Sequence, residues 1–140
     1  MENSTSIKTL KVVYLIFMSI FSIIIIYSLC KYIFDFETVA QEFNSLGYPE
    51  HLIPLLTLGQ ALGLFILVRN KGHWLPEWAY TGFFINFICA IVAHYMSKAG
   101  NGASAVLCLI LLGSIYMLNK KIKATEENTL ENIENKLYNI

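Results

Sequence analysis

The sequence predicts an all-α integral membrane protein: a four-helix bundle with a short amphipathic surface helix between helices 1 and 2. Three observations carry that reading. Residues 12–30, 52–68, 78–97 and 99–119 contain no Asp, Glu, Lys or Arg. At about 1.5 Å of rise per residue, helices of this length cross a hydrocarbon core of ~30 Å. The chain is 56% hydrophobic and only 14% charged, whereas soluble domains carry about 25% charge. The charges that remain are gathered between the runs. Formal net charge is zero, and no basic surface suggests a nucleic-acid partner. The partner implied by composition is the lipid bilayer.

Placed on the chain, these runs give spans at about 12–32, 50–69, 77–97 and 102–120 within a membrane domain of residues 12–121. A cytoplasmic segment, residues 1–11, precedes it and a cytoplasmic polar tail, residues 122–140, follows. The first run follows Lys8 and Lys11 as the core of a secretion signal would. It is too long for such a core, and Tyr27-Ser28-Leu29-Cys30 offers neither a small-x-small cleavage pattern nor a small residue before a lipid-accepting Cys. It reads as a retained helix, poor in small and polar residues and suited to be a lipid-facing wall.

After Lys31 the composition turns acidic, with Asp35, Glu37, Glu42 and Glu50. Within this stretch Phe36, Val39, Ala40, Phe43 and Leu46 recur at helical spacing, with Asp35 placed to cap the start and Gly47 the end. The pattern predicts a short helix on the membrane surface, either a lid or simply a cover for helix ends.

Helix 2 starts near Pro49 or Pro54, where a first-turn proline costs little. Gly59 and Gly63 have the GxxxG spacing that admits a neighbouring helix. Gln60 lies ~12 Å below the outer edge and, inside hydrocarbon, needs a partner. The short connection to helix 3 turns at Lys71-Gly72. Trp74 and Trp78 suit the aromatic belt at a membrane surface. Glu77, at the start of helix 3, is favoured there by the helix dipole and is placed to pair with Arg69 or Lys71.

Residues 77–98 are the most informative stretch. Twenty uncharged residues carry Asn86 and His94 within the span, where polar side chains must face other helices or a wet cavity. Gly82, Asn86, Ala90 and Ala93 form a stripe of small or polar residues that should face the bundle. A Gln60 to Asn86 hydrogen bond is expected, because antiparallel neighbours bring both to similar depth. The His94 imidazole could bond a ligand carbonyl, shuttle a proton or simply bond the protein. No second histidine or carboxylate shares its depth, so no metal is expected. Cys30, Cys89 and Cys108 show no CxxC and read as buried free thiols.

Residues 98–102 form an outer turn, helix 4 starts near Ala103, and Lys120, Lys121 and Lys123 stop it at the inner face. Leu130, Ile133 and Leu137 then mark a separate short helix in the tail. Lys8, Lys11, Arg69, Lys71, Lys120, Lys121 and Lys123 flank one side of the spans, and only Lys31 and Lys98 the other. That asymmetry predicts a cell-membrane protein with both termini cytoplasmic.

Leu46-Gly47-Tyr48-Pro49, Leu58-Gly59-Gln60-Ala61-Leu62-Gly63, Glu77-Trp78-Ala79-Tyr80 and Ala93-His94 resemble, in order, the pattern of the DoxX-like family of small four-helix membrane proteins. The resemblance runs from Lys31 to about Lys121. It implies the fold more strongly than an activity. The family is named after a subunit of a thiosulfate:quinone oxidoreductase, and some relatives belong to membrane redox complexes. The resemblance also marks Glu77, Tyr80 and His94 as recurrent polar positions. Members often carry lysine where this chain has Gln60, so anion binding through that charge is not expected here.

Two function classes follow, with a third behind them. The first is a non-catalytic, redox-associated membrane subunit that holds a quinone or another isoprenoid lipid, with Gln60, Asn86, His94 and Tyr80 as candidate ligand contacts. No catalytic residue is assigned, and electrons would come from a membrane redox partner. The second is a structural or assembly module that packs through Gly59, Gly63, Gly82 and Ala90 against a partner or a second copy, with Glu77 and Arg69 as structural polar residues. The third is a small-solute transporter formed by oligomerisation.

Overall fold

The computed structural model describes residues 2–72, 74–97 and 102–138. Its elements are α1 (Glu2–Phe34), α2 (Phe36–Ser45), α3 (Leu52–Arg69), α4 (Trp74–Ser97) and α5 (Ala103–Tyr138). Four of them, α1, α3, α4 and α5, contain segments long and apolar enough to cross a membrane. They are the four predicted spanning helices, and α2 is the predicted surface helix. Part of the predicted outer turn, residues 98–101, lies outside the described residues.

Each long helix packs on its neighbour in the chain, and α5 returns to α1, so the four close into a ring. The centre is aromatic. Phe21 of α1 is fully buried, with its ring edge-on to Phe83 at 5.3 Å and to Phe87 at 6.2 Å. Met18, Phe21 and Ile25 make one buried face of α1 at helical spacing. α1 is therefore a core helix with a lipid-ready back, a larger part than that of an outer wall. The remaining outward surface is apolar, with Leu15, Ile23, Phe65 and Ile110 all more than half exposed. In water such a surface would aggregate, but lipid solvates it without cost.

Only one glycine of the GxxxG pair is packed. A Cβ at Gly63 would lie 2.8 Å from Cε2 of Phe83, whereas one at Gly59 or Gly82 would meet nothing within 4 Å. The close approach therefore admits an aromatic edge from α4 rather than a helix backbone. This contact sets the α3–α4 register, and Gly59 and Gly82 remain on the outer surface.

The end that carries both termini is held by polar contacts. Asn70 caps α3 in the left-handed conformation, φ 43° and ψ 35°, and its backbone N–H donates to the Ile66 carbonyl at 2.9 Å. Asparagine tolerates this backbone better than most residues. Its side-chain amide exchanges hydrogen bonds with buried Asn119 of α5, at 2.8 Å and 3.2 Å. Glu77 pairs with Lys120 at 3.0 Å. The expected pairing with Arg69 or Lys71 is not made, because α5 runs past the first turn of α4 while the Arg69 guanidinium lies over the ring of Phe65, one turn back on its own helix.

α5 does not stop at its lysines. The segment from Lys120 to Lys136 contains neither Gly nor Pro, so nothing breaks the hydrogen-bond ladder, and the expected separate tail helix is a continuation of α5. The N-terminal extension of α1 is likewise helical, and Lys11 pairs with Glu126 at 2.6 Å. The cysteines depart from expectation too. Cys108 is buried, but Cys30 and Cys89 are exposed, which is tolerable for a small apolar side chain on a lipid-facing surface.

The Asn70–Asn119 pair yields a test. Asn70→Gly keeps the left-handed backbone but strands the buried Asn119 amide, at a cost of about 1–3 kcal/mol. Asn70→Ala adds roughly 1–2 kcal/mol of left-handed strain. Thermal unfolding in detergent should rank wild type above Asn70→Gly and Asn70→Gly above Asn70→Ala; equal midpoints for all three would remove this interaction from the account.

Candidate functional site

The structure contains a cavity of about 640 Å³ at the end opposite the termini, within the ~300–1,000 Å³ range of small-molecule sites. Its roof is α2 and the turn after it, with Glu42, Phe43, Ser45 and Tyr48. Its walls are the first turns of α3 and α4 from its middle to its last turns, including Leu55, Leu56, Ile85, Asn86, Cys89, Ala90 and His94. Tyr32 closes it from α1. Leu55 and Ile85 are more than half exposed and Cys89 is exposed, so the cavity opens sideways between α3 and α4.

The roof is built from local sequence rules. α2 buries Val39 and Ala40 against Ile53 of α3, with Tyr32 and Phe43 packed around them. The Tyr32 ring meets Phe43 edge-on at 6.2 Å. At its C-terminus, Gly47 N–H donates to the Asn44 carbonyl at 3.0 Å and Tyr48 N–H to the Phe43 carbonyl at 2.9 Å. With Gly47 at φ 80° this is a Schellman motif, completed by the ring contact of Phe43 and Tyr48 at 6.2 Å. The Leu-Gly-Tyr-Pro string is the sequence trace of that cap. Asp35 does not play the expected part at the other end, where its side chain makes no capping hydrogen bond. Its backbone links the two helices instead, donating to the Lys31 carbonyl and accepting from Val39 N–H.

Of the residues proposed from sequence to touch a ligand, Asn86 and His94 line the cavity, and Gln60 and Tyr80 are not among its lining residues. About eight residues separate Asn86 from His94, which sets them ~12 Å apart along α4. His94 also packs under the start of α5, where a Cβ on Gly102 would come within 3.3 Å of its own. The stripe of Asn86, Ala90 and Ala93 faces the cavity rather than a closely packed helix.

Gln60 lies on the buried face of α3, but the predicted bond to Asn86 is not formed: its Oε1 has no hydrogen-bond partner. Depth is shared and direction is not, because Gln60 turns inward with Leu64 and Leu67 while Asn86 points into the cavity. Tyr80 is buried near the opposite end, its ring edge-on to Tyr116 at 5.1 Å. Its hydroxyl faces Tyr14 and Asn119 without hydrogen-bonding geometry to either. Sequence reading did not single out Tyr32, Ser45 or Tyr48 as cavity residues; they converge only when α2 folds back over α3. No group of three or more His, Cys, Asp or Glu able to hold a metal occurs among the described residues.

The cap at Gly47 makes the roof testable. Gly47→Ala places a Cβ in the left-handed region at a cost of about 1–2 kcal/mol, a factor of roughly 5–30 in a local opening equilibrium. Backbone amides of α2 should exchange faster with deuterium by that factor, with α4 unchanged. Unaltered exchange in α2 would mean that the roof is held by something other than this turn.

Comparison with curated proteins and with solved structures gives no match. The sequence model described as the DoxX-like family matches residues 10–116, a stretch that includes α2, α3, α4 and the cavity they enclose. With that match over most of its length and four helices fit to cross a bilayer, the chain belongs to the DoxX-like family and is a multi-pass membrane protein.

Proposed function

We propose that the protein is a non-catalytic membrane subunit associated with redox or quinone chemistry, and that it holds a quinone or another isoprenoid lipid beneath α2. The observation behind this reading is the cavity itself. It combines apolar walls from α3 and α4 with a few separated polar groups, Asn86, Tyr48 and His94 among them, and it opens toward the side where lipid would lie. Asn86 and His94, ~12 Å apart in rise along α4, stand at two depths of the cavity, so a ligand lying along α4 can meet a polar group at each level. The asymmetry of Lys and Arg supports an orientation with the termini in the cytoplasm and the cavity at the outer leaflet of a cell membrane.

A second reading, an assembly module, is favoured by Gly59 and Gly82, which lie on the outer surface with room for a neighbouring helix. It requires a membrane partner or a second copy of the chain. A transporter reading has less support, since Phe21, Phe83 and Phe87 fill the bundle axis.

The lipid reading is tested by purifying the protein in mild detergent and weighing the extracted lipids by mass spectrometry. Wild type should carry one enriched quinone or isoprenoid species. Ala90→Trp, which fills the cavity, should lose it, and His94→Ala should retain about tenfold less, as expected for the loss of one hydrogen bond of ~1.5 kcal/mol. A wild-type extract no different from bulk membrane lipid would leave the assembly module as the better account.

A further inference from the structure

The charges around the cavity define the kind of head group it takes. On the roof, Glu42 lines the cavity, and the cation beside it, Lys31, is already committed, its Nζ 3.4 Å from Glu42 Oε1. Glu50 accepts from the Asn44 amide at 2.9 Å across the turn that ends α2, and Asp35 and Glu37 are exposed on the same cap. Lys98, the other lysine of this end of the chain, lies outside the described residues. Of these acidic residues only Glu42 lines the cavity, so a phosphate entering beneath α2 would meet that carboxylate first, and could use Lys31 only by breaking its pair. The Glu42 side chain is more than half exposed, so this repulsion acts at the rim of the cavity and weakens as salt is added. An uncharged head carrying a carbonyl or hydroxyl has the opposite experience, since Tyr32, Tyr48 and Asn86 among the lining residues carry hydrogen-bonding groups and no charge. Below the head, Leu55 and Ile85 flank the lateral gap, through which one apolar chain can lie in the bilayer.

We propose that the cavity beneath α2 selects a single-chain lipid with an uncharged head and excludes the same chain carrying a phosphate. The selection rests on the lipid-binding reading above and adds the residue pair that enforces it, Glu42 and Lys31. Glu42 repels the anion and also occupies the cation that would bind it.

Cys89 serves as the reporter, since it lines the cavity and is exposed. In a Cys30→Ser background, full-length protein in nanodiscs of neutral lipid is treated with N-ethylmaleimide, and labelling at Cys89 is followed by mass spectrometry. The probes are geranylgeraniol, decylubiquinone and geranylgeranyl monophosphate. At about ten times its half-saturating concentration, a bound probe slows labelling about tenfold. The alcohol and the quinone should do so and the monophosphate should not. In Glu42→Gln, where Lys31 is released from its pair, the monophosphate should protect Cys89 as strongly as the alcohol does in the same variant.

The outcomes separate the two levels of the proposal. Equal protection by the alcohol and the monophosphate in the Glu42-containing protein overturns the head-group selection and leaves the lipid cavity standing. Protection by none of the probes, with Cys89 still reactive, overturns the cavity as a lipid site and the selection with it. A monophosphate that stays excluded from Glu42→Gln overturns the assignment of selectivity to this ion pair.

Discussion

The packing of Phe21 against Phe83 and Phe87 governs the rest of the molecule. Three rings meeting edge to face and in a stack fill the bundle at mid-height, and Gly63 lets Phe83 come in against α3. Toward the end opposite the termini, the inner side of α4 changes from Phe83 and Phe87 to Ala90 and Ala93. Helices held apart by rings at one level cannot close onto alanine two turns further along. The space that results is the cavity, and α2 covers it with Val39 and Ala40 anchored on Ile53. Close packing in one layer thus creates a defined void in the next.

The two ends of the bundle are secured in different ways. At the terminal end, Asn70 and Asn119 satisfy each other's amides where water is scarce, which is how buried polar groups are ordinarily tolerated. Around them the Glu77–Lys120 and Lys11–Glu126 pairs are about half exposed and contribute little on their own. The opposite end relies on a backbone cap and aromatic contacts. One end is fixed by paired amides deep in the structure, and the other by a roof whose attachment is smaller. A site reached from the bilayer is better served by the second arrangement, since local opening costs least where few apolar contacts must be broken.

Gln60 Oε1 in the middle of the bundle and the Tyr80 hydroxyl near its terminal end are both buried without a hydrogen-bond partner. They lie on the inward faces of α3 and α4. Neither lines the cavity, so the polar groups immersed in the bundle fall into two sets. Asn86 and His94 are turned to a space large enough for a ligand, whereas Gln60 and Tyr80 are enclosed by helix packing.

Periodicity, charge and turn chemistry in the sequence determined the four long helices, the surface helix and the turns at Gly47 and Gly72, because each depends on residues within a few positions of one another. The same local rules identified Asn86 and His94 as polar groups in an apolar span. They did not determine direction. Gln60 and Asn86 share a depth in the sequence, yet one turns into the core and the other into a cavity, since a register set by Gly63 against Phe83 decides which way each helix faces. Likewise the partner of Glu77 is Lys120, more than forty positions away, and the roof residues Ser45 and Tyr48 meet the walls and Tyr32 of α1 only through the docking of α2. Contacts between distant segments follow from how volumes fit when helices pack, and only the tertiary structure holds that information.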